Sequence, residues 1–587
     1  MDKLILNDKY DIIDGSMSCS NIGARKGRNI RDHLFVINGV LNEALHRKDK
    51  NIDIQIVDIQ KCFDKMSYKE TANDIYEAGV KDDKFLLMAK SNEKCMVAIK
   101  TPWGALTKRV EMNQIEMQGT VPAPLKCSVQ LDTLGKECLQ TGEGLYRYKE
   151  CVDIPPLLMI DDAIAVSECG MDSVTVNAHI QSKVEMKNLR LGHNKCFKMH
   201  IGRNKECCPL LKVENETMLT SDRERYLGDI ISSDCKINAN IEERYNKGIG
   251  ICNKIISTLK EISFGQHYFQ MAILFRQSML INSILCNSEV LYGLNNTHIE
   301  TLESVDRYLW RNVFGAMIST PIESYYIETN TIPIRHIIMG RRLMYYWTIL
   351  QKDETEVVKK VLKCQTLLPS KNDWILQLQN DLEECGIELS EENIKNMKKE
   401  KFKNLVLKKI KTLAKEYLLT LRGKHSKSKN LMHRDSLKDY LKTENVSVSE
   451  KKLLFALKTR QINVKTNFRT MFSNLQCRLC KEVGTEESEI HIMKCEKILS
   501  DTNLKRLLEN ISYADIFGTL DQQVKAIKVW KQVVRVWNLK LEAEKLSPSG
   551  HQVHQLQGQS ASIPCTSTPA VDSTSPATST CIVYDFG

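Results

Sequence analysis

Asp161 and Asp162 stand side by side in LLMIDDAIA (residues 157–165), two carboxylates inside an otherwise apolar run. Burying one unpaired carboxylate is costly, and two neighbours repel, so one pKa is pushed upward unless something compensates them. About a hundred residues upstream, IVDIQKCFD (56–64) places Asp58 at the end of a second apolar β run. If the two strands lie side by side, Asp58 and Asp161 converge, with Asp162 beside them. Three carboxylates at one point need cations, and the hard cation that favours carboxylate oxygens, substrate phosphates and water is Mg²⁺. Two such ions about 3.5–4 Å apart would stabilise attacking and leaving oxygens in phosphoryl or nucleotidyl transfer. Taken alone, an Asp-Asp pair is more often an ordinary turn.

A second constellation is CRLCKEVGTEESEIHIMKC, which spaces Cys477, Cys480, His491 and Cys495 as C-x2-C-x10-H-x3-C. The close cysteine pair can span one face of a tetrahedral Zn²⁺, and His and Cys one helical turn apart supply the other. The spacing is wider than a short retroviral knuckle, so it predicts a small structural zinc module. With 20 cysteines in the chain, a chance match is the competing explanation.

The elements that must position these groups follow from periodicity. NIDIQIVDI (51–59) alternates Ile52, Ile54 and Ile56 as a strand does, whereas RDHLFVINGVLNEAL (31–45) spaces Leu34, Ile37, Leu41 and Leu45 as a helix does. Residues 1–215 mix such segments in an α+β or α/β pattern, and 240–465 is almost wholly helical in its spacing. Thr320-Pro321-Ile322-Glu323 has the form of a capping box with proline at the first helical position. Val524, Ile527, Trp530, Val534, Trp537 and Leu541 form one apolar stripe, expected to pack on the body of the protein.

At 587 residues the chain is long enough for several domains, and 42% hydrophobic and 27% charged residues suit a globular protein. The longest apolar stretch, 271–292, is interrupted by Arg276, Gln277 and Asn282, so it reads as a buried helix and no membrane partner is expected. MDKLILNDKY lacks the apolar core of a secretory signal, so an intracellular protein, nuclear or cytoplasmic, with reduced thiols is expected. The net charge of +10 gains meaning from clustering: twelve Lys/Arg between Lys398 and Lys429 face only Glu400 and Glu416. A solvated helix face and a phosphate-binding surface explain this equally well. After Leu546 the composition turns to Ser, Thr, Pro and Gln, which predicts a disordered tail over 547–587.

The ordered series IVDIQKCF, EMQGTVPAPL, LLMIDDAIA, LRLGHNKCFKMHIG and RERYLGDIIS resembles the successive blocks of a reverse transcriptase palm of the non-LTR, LINE-type retrotransposons. The likeness is close over roughly 15–235 and looser to about 500. It implies an α+β fold with right-hand fingers and palm, a helical thumb, and a helical carboxy-terminal extension with a small zinc module. The boundaries so implied are partial fingers 1–50, palm 51–235, thumb 236–335, basic helical extension 336–465, zinc module 466–500 and carboxy-terminal helix 501–546.

The resemblance also implies roles. Asp58, Asp161 and Asp162 would hold two Mg²⁺ ions, and Lys195 would neutralise or protonate the leaving pyrophosphate. Phe63 would lie against the 2′ position of the incoming sugar, and Gln118 and Gly119 under nucleotide and template. Tyr226, Leu227 and Gly228 resemble the hairpin that grips a primer end. GARKGRNIRDH (23–33) resembles the fingers segment and offers Arg25, Arg28 and Arg31 to phosphates, a structural helix start being the rival reading. Implied partners are an RNA template, a DNA primer and dNTPs; the oligomeric state is left open.

The chain departs from the family pattern at Met159, where relatives carry an aromatic, and at Ala123 and Pro124, where a glycine-containing turn is usual. It starts at the fingers segment, as an amino-terminally truncated reading frame would, and no RNase H quartet or carboxy-terminal nuclease signature is evident. Two other classes therefore stand beside the polymerase. One is a decayed retroelement product that binds nucleic acid without polymerising, and the other is a zinc-stabilised helical interaction protein.

Overall fold

The computed structural model describes residues 2–47, 49–90, 95–112, 120–203, 208–261 and 265–546. Gln118, Gly119 and the tail 547–587 lie outside the described residues. The chain opens with helix α1 (Asp2–Ser16) and α2 (Ile30–His46). Asn29 starts α2 with a capping box completed by Asp32. Strand β1 (Ile52–Asp58) follows, then the single turn α3 (Cys62–Lys65) and α4 (Ala123–Leu131). Next come β2 (Leu157–Met159), β3 (Asp162–Glu168), α5 (Met171–Met186), β4 (Phe197–Ile201) and β5 (Leu219–Thr220). A hairpin of β6 (Arg223–Tyr226) and β7 (Asp229–Ser232) leads into the helical half.

Among the described residues, five strands form the principal sheet in the order β5-β4-β1-β3-β2. The pairings are antiparallel except for β5 beside β4. The isoleucine alternation places Ile52 and Ile54 on a face that joins α2 and the helical half, while Val57 with Ala163 and Ala165 meets Val176, Ile180 and Val184 of α5 on the other. Each such buried isoleucine or valine contributes about 1.5–3 kcal/mol, and each alanine methyl about 0.8 kcal/mol. An alternating strand is commonly wet on one side, but here Asp53 and Gln55 are buried as well. Gln55 is accommodated because its Nε2 donates to the Ser173 carbonyl at 2.9 Å.

The helical half contains α6 (Asn238–Glu261), α7 (Tyr268–Phe275), α8 (Asn296–Phe314), α9 (Ile322–Thr329), α10 (Ile334–Leu350), α11 (Lys399–Lys424) and α12 (Leu520–Leu546). One apolar cluster runs from the sheet to Leu541, and the stripe on α12 buries Ile527, Trp530 and Trp537 in it. The polar interruption at Arg276 has a specific cause. After α7 the helix widens into a π-helical turn, and Arg276 Nε and Nη2 grip Asp306 of α8 at 2.8 and 2.6 Å. Tyr326 donates to the same carboxylate at 2.9 Å. Among the described residues no helix is long and apolar enough to cross a membrane.

The expected capping box at Thr320 does not form. Pro321, with extended φ/ψ, is the cap residue and no side chain caps α9. Glu323 instead accepts from Ser428 and meets His425, each at 2.7 Å, because a distant segment folds over it.

Candidate active site at the aspartate turn

β2 and β3 are joined by two residues, Ile160 and Asp161, with Met159 opposite Asp162. Ile160 has φ of +59°, a left-handed conformation that a β-branched side chain rarely adopts. Such a strained residue persists only where its surroundings fix it. The surroundings are residues 18–28: Leu158 N–H donates to Ser20 O at 3.0 Å, and Ile22 N–H donates to Leu158 O at 2.9 Å. Gly23 lies against the turn so closely that a Cβ there would stand 2.7 Å from Ile160 N. The amino-terminal segment is therefore a clamp under the aspartates.

This clamp alters the expectation for the three arginines. Arg25 is buried, with Nε on Asp14 at 2.6 Å and its other nitrogens on the carbonyls of Ser18, Asn21 and Asp14. Arg28 pairs with Glu356 and donates to the Cys19 carbonyl at 3.1 Å. Arg31 is half open to solvent but engages buried Glu289 at 2.6 Å. The guanidinium forks of Arg25 and Arg28 are spent holding the segment together, so the rival structural role applies to them. Arg31 alone has open surface to offer a phosphate.

Asp58 and Asp162 are directly opposed residues of β1 and β3. Opposed side chains share a face with Cβ atoms about 4.5–5.5 Å apart. Asp162 is thus the cross-strand partner, and Asp161 approaches from the turn. Removal from water raises the Asp161 carboxyl above the usual range, and the Asp58 charge raises it further. Asp162 is raised first by its low-dielectric surroundings, although its side chain stays open to solvent, and then by Asp161 and Asp58. The three do not close to the 4.8 Å mutual spacing found at the metal-type clusters described below. Lys195 Nζ, 71% exposed, sits 3.2 Å from Asp58 Oδ1, and this contact raises its pKa. The donor set fits hard oxygen-seeking cations: three carboxylates, two of them poised by repulsion and desolvation.

Gly192 was not among the expected site residues. Its N–H donates to Asp58 O at 2.8 Å, and a Cβ on it would lie 2.9 Å from Asp58 Oδ2. The signal was a glycine three residues before Lys195 in the same block. Phe63, in α3, is partly buried and packs on the same cluster as Ile160. Cys62 beside it touches Cys127 of α4, Sγ to Sγ at 3.2 Å.

Leu227 (φ +46°) and Gly228 (φ +90°) form the two-residue loop of the β6–β7 hairpin, and positive φ at both positions marks a type I′ turn. Asp229 fastens the hairpin to α6 through Arg244 at 2.7 Å. Tyr226 is buried, and its hydroxyl stands 3.2 Å from His33 Nδ1 while His33 Nε2 meets Ser20 O at 3.0 Å. A carbonyl only accepts, so Nε2 carries the proton and Nδ1 accepts from Tyr226. Burial holds this imidazole neutral, its pKa lowered to about 3. The Asp162 charge also acts on Tyr226. Hairpin, α2, clamp and aspartate turn are thus one connected polar network, which His33, absent from the sequence reading, completes.

Cys477, Cys480, His491 and Cys495 each place one ligand atom within 4.8 Å of the others. Ser488 caps the turn carrying His491, and buried Glu487 fixes the cysteine loop through Arg478 at 2.5 Å. The neighbouring Cys495 and burial push the Cys477 thiol up to about 12, while the same contact with Cys477 lowers Cys495. Three cysteines and one histidine at this spacing are a donor set that fits a structural zinc ion.

On α11, Phe402, Val406, Ile410, Ala414 and Leu418 are buried, while Lys401, Lys403, Lys408 and Lys411 are exposed. The basic run is therefore an amphipathic helix with a cationic outer face.

No protein-family model matches the chain, and no curated protein does. Among solved structures, apo telomerase from Candida tropicalis is similar at 12% identity and a TM-score of 0.32, over 64% of this chain and 60% of that one. Telomerase from Candida albicans in complex with a TWJ fragment of telomeric RNA is similar at 12% identity and a TM-score of 0.32, over 64% of this chain and 56% of that one. The chain thus spans less than two thirds of these telomerases, and likeness at this level carries no argument about what it does.

Proposed function

We propose that the chain is the polymerase region of a reverse transcriptase, adding nucleotides to a DNA primer on an RNA template, of the non-LTR retrotransposon type that its sequence blocks resemble. The observation that carries this reading is the meeting of Asp58, Asp162 and the turn residue Asp161 at one end of a sheet, with Lys195 on Asp58. Bound at the three carboxylates, two Mg²⁺ ions would activate the primer 3′-hydroxyl and neutralise the developing phosphate charge.

The chain's own residues account for the rest. The clamp and the strained Ile160 hold Asp161 at the lip of the sheet. Gly192 leaves room for the Asp58 carboxylate. Lys195, exposed and tethered to Asp58, can turn its ammonium to the β- and γ-phosphates once Asp58 is otherwise engaged. The I′ hairpin, tied to the aspartate turn through Tyr226 and His33, would hold the primer end. The cationic face of α11 would hold the duplex by its backbone, without sequence preference. The domains expected from the resemblance serve as palm, thumb and extension in this reading.

The test is extension of a labelled DNA primer on an RNA template with dNTPs and Mg²⁺. Wild type should add the encoded bases and Asp161→Ala should add none. Salt-sensitive RNA binding without extension would instead support a decayed product, a reading favoured by the internal use of Arg25 and Arg28. Neither activity would leave an interaction scaffold.

A further inference from the structure

A second set of metal-type donors converges at the opposite end of β1 from Asp58 and on the opposite face of the sheet. Asp53, Cys169, His200 and Cys208 each bring one ligand atom within 4.8 Å of the others. The ladder builds this cluster: Asp53 pairs across to Ser167 in β3 and to His200 in β4. Cys169 leaves the end of β3 with its N–H on Asn51 O at 2.9 Å, and Cys208 belongs to the segment after β4. Five residues of strand put Asp53 about 17 Å from Asp58.

The Asp53 side chain is 0% exposed and that of His200 is 8% exposed. Asp53 Oδ1 meets His200 Nδ1 at 2.9 Å, and Oδ2 faces Lys198 Nζ at 3.1 Å. Lys198 also donates to Pro209 O at 2.6 Å, which ties the segment after β4 to the same spot. Among the described residues, His200 Nε2 is buried with no hydrogen-bond partner. A buried polar atom left unpaired is costly. A carboxylate on one imidazole nitrogen, with the other nitrogen free, is how proteins orient a histidine towards a metal.

We propose that Cys169, Cys208 and His200, the last through Nε2, bind a zinc-class divalent cation, with Asp53 on His200 Nδ1 as the carboxylate that orients the ring. Two thiolates and an imidazole select a borderline-soft ion over Mg²⁺. Charge supports the assignment: two thiolates and the Asp53 carboxylate carry three negative charges, and the ion with the Lys198 ammonium carries three positive. The ion fastens the exit of β3, the end of β4 and the segment after it, and through Asp53 the start of β1, a staple at the sheet end remote from the aspartate turn. The proposal does not rest on the polymerase reading.

The test loads the full chain with Zn²⁺, or with Co²⁺ as a spectroscopic probe, and counts metal by mass spectrometry after exhaustive dialysis. Wild type should retain about two ions per chain, and Cys169→Ser/Cys208→Ser and Cys477→Ser/Cys480→Ser about one each. Wild-type metal content in the Cys169→Ser/Cys208→Ser protein overturns the proposal, as does complete loss from the Cys477→Ser/Cys480→Ser protein. Should the first double variant fail to fold, the single Cys208→Ser change at a partly exposed position decides. It must weaken the thiolate-to-Co²⁺ charge-transfer absorption, and an unchanged spectrum overturns the site.

Discussion

Gly192→Ala perturbs the proposed catalytic geometry without removing any catalytic group. Gly192 has φ −86° and ψ 91°, which alanine can adopt, so the backbone is not strained by the change. The new Cβ would start 2.9 Å from Asp58 Oδ2 and 3.5 Å from Asp58 O. Ordinary contact lies roughly 0.5–1 Å further out than the first of these. The backbone cannot yield because Gly192 N–H is held on Asp58 O at 2.8 Å, so the carboxylate must rotate away. A displacement of 1 Å at a reacting centre costs about 10²-fold, so about half that shift should lower kcat/KM for nucleotide addition about tenfold, or ~1.4 kcal/mol of transition-state stabilisation. Single-nucleotide incorporation on an RNA template measures this, with thermal unfolding as control. Gly192→Ala should unfold within a few degrees of wild type. Full activity in a folded Gly192→Ala protein would refute the reasoning, because the position of the Asp58 carboxylate would then not matter.

Asp161→Asn should raise the unfolding free energy in magnesium-free buffer by ~0.5–2 kcal/mol, the increment common for a single stabilising substitution, while abolishing extension. The sign follows from linkage: the folded-state pKa of Asp161 is raised, so the fold carries a penalty above that pKa that is lost as pH falls through it. The stability gap between wild type and variant should therefore narrow in acid. Asp306→Ala leaves buried Arg276 without its carboxylate and should cost about 3–5 kcal/mol in urea titration, whereas a paired apolar replacement should cost far less. Replacing Lys403, Lys408 and Lys411 by alanine should weaken RNA binding for all sequences and lower the salt slope by about 2–3 in a filter-binding series. Cys480→Ser should release zinc and lose hydrogen-exchange protection over 477–495 while β1–β4 stay protected.

The parts of this fold legible in the sequence are those that depend on local period and chain order. The Ile52/Ile54/Ile56 alternation, the α2 spacing and the α12 stripe each report a face that must be buried, and each element lies where its pattern predicts. The meeting of Asp58 with the paired aspartates needed only the assumption that two strands adjoin. Partner identity is a different matter. Arg25, Arg28 and Arg31 resemble phosphate ligands in isolation, yet their acids are Asp14, Glu356 and Glu289, two of them more than two hundred residues away in sequence. The Thr320 box fails for the same reason, because Glu323 is claimed by His425 and Ser428. Asp53 and His200 become neighbours only once the β1–β4 register is fixed, and a one-residue slip would send them to opposite faces. Ladder register and long-range pairing decide these sites, and local composition carries neither.

The measurement that bears most directly on the central claim is divalent-ion binding at the aspartate turn, read by electron paramagnetic resonance with Mn²⁺ in place of Mg²⁺. In the presence of primer-template and dNTP, wild type should bind about two Mn²⁺ ions that vanish together in Asp58→Ala and in Asp161→Ala. Equal Mn²⁺ binding by wild type and both variants would contradict the account, since the carboxylates would then meet for some other reason.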